Sequence, residues 1–168
     1  MAHRILIIDD EPVQRRLLEA AVTRLGMKAI AAAGAEEGLQ ALAAGEPVSA
    51  VILDLVMPGM DGIAALQAMR DRGFAMPVIV QTGQGGIDTV VRAMRAGAFD
   101  FVVKPVSPDR LQQSIGNALK LGAASADQRR QTRRNAGTLT FDDVICASPR
   151  MQRILAVAAK AARSSIPI

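Results

Sequence analysis

Tryptophan and tyrosine are missing from this sequence, and cysteine and histidine occur once each, as Cys146 and His3. A lone cysteine cannot close an internal disulfide, and one sulfur with one imidazole is too small a ligand set for a zinc site or for Cys-His or Ser-His catalysis. With four Phe as the only aromatics, nucleic-acid bases find almost nothing to stack on, which argues against an aromatic platform for single strands. Long apolar runs are missing too: Ile5-Leu6-Ile7-Ile8 is stopped at once by Asp9-Asp10-Glu11, far short of the roughly 18 residues of a membrane span, and it does not read as a signal peptide. A cytoplasmic protein without membrane contact is expected.

What is present is the composition of a globular chain. Its 168 residues are 50% apolar and 21% charged, enough for one domain of ordinary size with some surplus. The net charge of +4 suggests an acidic partner such as nucleic acid until it is divided along the chain. Residues 1–122 carry 12 Lys/Arg against 13 Asp/Glu, and residues 123–168 carry 8 against 3. The basicity belongs to the tail.

Short runs rich in β-branched residues occur at 4–8, 49–53, 77–81 and 100–103, each bounded by turn or charged residues, and read as buried strands; Lys28–Ala32 is a weaker fifth. Between and after them, apolar residues recur at helical spacing: Val13, Leu17, Ala20, Ala21 and Leu25; Leu39 and Leu42; Ile63, Leu66 and Met69; Val90, Val91 and Met94; Leu111, Ile115, Ala118 and Leu119. Gly26, Gly73 and Gly97 follow helices where a left-handed residue is needed, and Pro12 and Pro108 stand at helix starts, where the missing N–H costs nothing. Strict alternation of strand and helix, with continuously apolar strands, predicts an α/β domain whose parallel sheet is covered on both faces. It should end near Gly122. Residues 123–138, with Arg129-Arg130 and Arg133-Arg134, then read either as an extension of the last helix or as a solvated linker.

In an open parallel sheet, ligands bind outside the carboxyl ends of the strands. There the sequence places Asp9-Asp10-Glu11, Asp54, Thr82 and Lys104-Pro105. Converging carboxylates repel unless a cation lies among them, and an all-oxygen set suits Mg²⁺ or Mn²⁺. A carboxylate between a metal and an ammonium, with a hydroxyl in reach, is suited to attack a phosphoryl group. Taken singly the features are ordinary: an acidic pair after a strand is often a helix signal, Asp61 reads as the N-cap of the third helix, and Gly83-Gln84-Gly85-Gly86 reads as a mobile loop because Asp88 stands where a dinucleotide fingerprint needs glycine.

Taken together, Ile-Leu-Ile-Ile-Asp-Asp-Glu at 5–11, Asp-Leu-Val-Met-Pro-Gly-Met-Asp-Gly at 54–62, Thr82-Gly83 and Phe-Val-Val-Lys-Pro at 101–105 resemble the receiver domain of two-component response regulators. The resemblance implies a flavodoxin-like, doubly wound five-stranded sheet in order 2-1-3-4-5. It implies Asp54 as phosphoacceptor, with Asp9, Asp10, Asp54 and the carbonyl of Val56 as metal ligands. It further implies that Thr82 and Lys104 contact the phosphoryl group and that Phe101 is an aromatic switch. The partner is then a sensor histidine kinase, and the chain is a phosphoacceptor switch rather than a turnover enzyme. Residues 139–168, from Cys146-Ala-Ser-Pro to the end, resemble the opening of the AAA+ ATPase domain of sigma-54-dependent transcription activators, with the Walker A loop expected beyond Ile168. Residues 123–138 then read as a basic helical linker, and the resemblance implies a homodimer through receiver and linker, controlled by the surface of the fourth helix, fifth strand and fifth helix, with sigma-54 RNA polymerase and DNA reached only through further domains. The competing readings are a phosphohydrolase or flavin carrier on the same fold, or an interaction switch without an output domain; the missing Trp and Tyr argue against the flavin.

Overall fold

The computed structural model describes residues 2–83 and 86–134. The chain divides into two units, Met1–Ala126 and Asp127–Ile168. The expected ATPase opening at 139–168 lies outside the described residues.

Five strands, β1 (Arg4–Ile8), β2 (Lys28–Ala32), β3 (Ala50–Asp54), β4 (Val78–Thr82) and β5 (Asp100–Val103), alternate with α1 (Pro12–Arg24), α2 (Ala35–Ala43), α3 (Gly62–Asp71), α4 (Ile87–Arg95) and α5 (Pro108–Arg134). The strands form one parallel sheet in the order β2-β1-β3-β4-β5. This is the flavodoxin-like arrangement. β3 and β4 each begin and end one residue later than the sequence suggests, because Asp54 pairs with Gln81 and Thr82 with Val103, while Pro77 has no N–H to give a ladder.

Side chains alternate across a strand, and the two cores follow that alternation. Ile5, Ile7, Ile52, Ile79 and Val102 pack with Leu18 and Val22 of α1 and Leu111, Ile115 and Ala118 of α5. Leu6, Ile8, Val51, Leu53, Val78 and Val80 pack with Leu39 and Leu42 of α2, Leu66 and Met69 of α3 and Ala93 of α4. Each fully buried Val, Ile or Leu contributes about 1.5–3 kcal/mol of transfer free energy, and the central strands β1, β3 and β4 are lined with them.

Two helices present a different face from the one their spacing suggests. In α1 the buried residues are Leu18 and Val22, whereas Val13 and Leu17 are exposed; in α4 Ala93 is buried, whereas Val91 and Met94 are exposed. Strand β5 is an edge, with Phe101 and Val103 exposed and Val102 buried, so it is only half buried. Gly26, Gly73 and Gly97 have φ of 76°, 81° and 103°, as their positions after helices require. Asp61 caps α3 by accepting from the Ala64 N–H at 2.8 Å.

At the end of the sheet away from the carboxyl ends, Arg70 of α3 donates to three carbonyls: Phe74 at 2.7 Å, Met76 at 3.1 Å and Gly97 at 2.9 Å. It thereby ties the turn before β4 to the turn after α4. Desolvation on burial lowers its pKa. Among the described residues no helix is long and apolar enough to cross a membrane.

Candidate functional site

The site follows from the alternation. Asp9, Asp54, Gln81 and Lys104 each stand two residues beyond a member of the α1/α5 core, namely Ile7, Ile52, Ile79 and Val102. Parallel strands put all four on one face at one rim. Asp9 and Asp54 are buried there, and Asp10 is half-buried beside them.

The carboxylates of Asp9, Asp10 and Asp54 offer oxygens that all lie within 4.8 Å of one another. Asp9 is fixed by the Glu11 N–H at 2.9 Å and Asp54 by the Val56 N–H at 3.1 Å. Each turn thus uses one oxygen and leaves the other free. The Lys104 ammonium takes the remaining ones, donating to Asp54 Oδ2 at 2.8 Å and to Asp9 Oδ2 at 3.2 Å. Desolvation pulls the Lys104 pKa down, but the hydrogen bonds and negative charges of Asp54 and Asp9 outweigh it and the pKa is raised. A single ammonium between two buried carboxylates leaves net negative charge at the rim, and hard oxygen donors in that number fit a small divalent cation with waters completing its shell.

The other expected residues are placed as follows. Thr82 is buried at the end of β4, and its hydroxyl donates to the Gly83 carbonyl at 3.3 Å. A Cβ on Gly86 would collide with that hydroxyl, so glycine at 86 leaves the room it occupies. Val56 follows Asp54 with its side chain exposed. Phe101 lies on the opposite face of β5 from Lys104 and is 37% exposed. Gln84 and Gly85 of the glycine-rich loop lie outside the described residues.

Two contributors escaped the sequence reading. Arg15, in the first turns of α1, donates to the Asp9 carbonyl at 2.7 Å and so holds the turn carrying both N-terminal acids. Gln81 is fully buried, with neither amide atom hydrogen-bonded among the described residues. A polar residue in the otherwise apolar run Val78-Ile79-Val80 is the signal that could have found it.

Residues 5–116 match the response regulator receiver domain family. The chain belongs to that family. Similar curated proteins include the regulatory protein AtoC of Escherichia coli K12, 34% identical over 99% of this chain, and the response regulator protein PilR of Pseudomonas aeruginosa, 33% identical over 98%. The receiver-containing chain spans about a third of their length, 36% and 35% respectively. Among solved structures, a response regulator receiver domain protein from Clostridium thermocellum is 30% identical with a TM-score of 0.69, over 73% of this chain and 98% of that one. NtrX from Brucella abortus is 28% identical with a TM-score of 0.75, over 98% of this chain and 35% of that one.

Proposed function

We propose that this receiver accepts a phosphoryl group from the phosphohistidine of a sensor kinase onto Asp54, with Mg²⁺ held by Asp9, Asp10, Asp54 and the Val56 carbonyl. The observation that carries this is the Lys104 ammonium joining two buried carboxylates, Asp9 and Asp54, at 3.2 and 2.8 Å, with Asp10 in reach. The bound cation supplies charge neutralisation for the equatorial oxygens of the transferring group. An Asp54 oxygen forms the new bond to phosphorus as the phosphorus–nitrogen bond to the imidazole breaks, its electron pair returning to the ring. Lys104 is then free to turn toward the phosphoryl oxygens, and Thr82 reaches them by rotating its hydroxyl away from Gly83. Phe101 closes into the space that Thr82 vacates, changing the surface of α4, β5 and α5. Slow return of the aspartyl phosphate to water makes this a switch and not a turnover enzyme.

The output belongs to the longer protein that the relatives suggest. We read residues 1–122 as the receiver, 123–138 as a helical linker that pairs in a homodimer, and 139–168 as the opening of a sigma-54-dependent ATPase. Support comes from matches such as AtoC, which run through the linker to cover 99% of this chain. α5 itself continues to Arg134.

Mass spectrometry after incubation with Mg²⁺ and acetyl phosphate tests the reading. The chain is expected to gain one phosphoryl group, lost on treatment with hydroxylamine and absent in Asp54→Asn. An unmodified wild-type mass refutes it.

A further inference from the structure

The Lys104 ammonium reaches from beyond β5 to Asp54 on β3 and to Asp9 after β1. In the sheet order β1-β3-β4-β5, the side chain therefore passes over the end of β4. The β4 residue on that face is Gln81, paired across the ladder with Asp54 on one side and Val102 on the other. Its carboxamide is fully buried, and both amide atoms lack a partner among the described residues. An unpaired buried amide is costly, and its neighbours Ile52, Ile79 and Val102 would accept an apolar side chain. An ammonium has three N–H donors, of which Asp9 and Asp54 take two.

We propose that Gln81 is a positioning residue for Lys104: its Oε1 is the alternative acceptor to which the ammonium turns when a divalent cation draws the Asp9 and Asp54 oxygens. The ammonium and the cation compete for the same carboxylates. Without a second acceptor, the lysine released by metal binding would be left half-buried and short of partners. The carboxamide lowers that cost by offering an acceptor that an apolar side chain in its place would lack.

The inference rests on the reading of Asp9, Asp10 and Asp54 as a Mg²⁺ site, and calorimetric titration of the full chain with magnesium chloride alone tests it. Gln81→Met, which conserves volume, is expected to weaken Mg²⁺ binding about tenfold, the worth of one hydrogen bond to a charged group. Its thermal midpoint should stay level or rise, because the unpaired amide is gone. Gln81→Leu should show the same loss of affinity, so that misfolding of one variant does not decide the matter. In a Lys104→Met background, Gln81→Met should change the affinity by less than about twofold, since there is no ammonium to relocate. Gln81→Met and Gln81→Leu both binding within about twofold of wild type would overturn the proposal, as would the same tenfold loss in the Lys104→Met background. A wild-type chain that takes up no Mg²⁺ overturns the metal-site reading itself, and this inference with it.

Discussion

Gly62 opens α3 directly behind β3, and replacing it by alanine tests how tightly that helix is seated. A Cβ there would stand 2.6 Å from Leu55 Cα and 3.0 Å from the Asp54 carbonyl carbon, and closer still to the Asp54 carbonyl oxygen. Carbon–carbon contacts settle near 3.5–4.0 Å, so the helix start must retreat by about 1 Å. All of these neighbours are main chain and cannot rotate aside. The retreat also loosens the Gly62 N–H to Leu55 carbonyl bond of 3.2 Å, worth about 1 kcal/mol. Overpacking adds about 1–3 kcal/mol, while alanine recovers about 0.5–1 kcal/mol of helix propensity. The net loss is about 1–3.5 kcal/mol, or a fall of roughly 3–17 °C in Tm for a domain of this size. Gly116, in the middle of α5 with nothing within 4 Å of an added Cβ, is the control: Gly116→Ala should gain about 0.4–1 kcal/mol. With no Trp or Tyr, circular dichroism or calorimetry is the readout. A Gly62→Ala midpoint within about 2 °C of wild type would refute the steric argument.

Removing the ammonium should expose the repulsion it relieves. Lys104→Met in metal-free buffer is expected to lower the thermal midpoint, and Mg²⁺ should restore more of it than in wild type; no loss of midpoint would contradict the geometry. The raised pKa fixes the pH window. The stability that Lys104 contributes is fully present below its ordinary value of 10.5 and is lost as pH rises through the higher folded value, so the midpoint gap between wild type and Lys104→Met should stay constant up to that pH and close above it. At the other end of the sheet, Arg70→Ala removes three hydrogen bonds to carbonyls and should cost about 3 kcal/mol in urea unfolding. Arg70→Lys should recover little, because an ammonium cannot fork to the same carbonyls; full recovery would show that charge rather than geometry matters.

The rim of the sheet was legible in the sequence because parallel strands point their carboxyl ends one way, so the acids after β1, the acid ending β3 and the lysine after β5 had to converge. The packing faces of α1 and α4 were not. Val13, Leu17, Val91 and Met94 keep helical spacing yet are exposed, because periodicity marks an apolar stripe without saying which part the sheet covers. Phe101 likewise reads as core until β5 is known to be an edge. Gln81 and Arg15 were missed for another reason: one is a polar residue whose meaning depends on register, and the other acts on a main-chain carbonyl that no side-chain pattern announces.

Arg70 has a mechanical consequence for the helix that leads away from Thr82. The turn after α4 is tethered through the Gly97 carbonyl, whereas its first turn follows Gly86, where Thr82 meets a backbone without side-chain bulk. Held at one end, α4 would pivot about the guanidinium if its first turn moved. Its nine residues make an arm of roughly 13 Å, so a tilt of about ten degrees carries the Gly86 end through about 2 Å while the Gly97 end stays still.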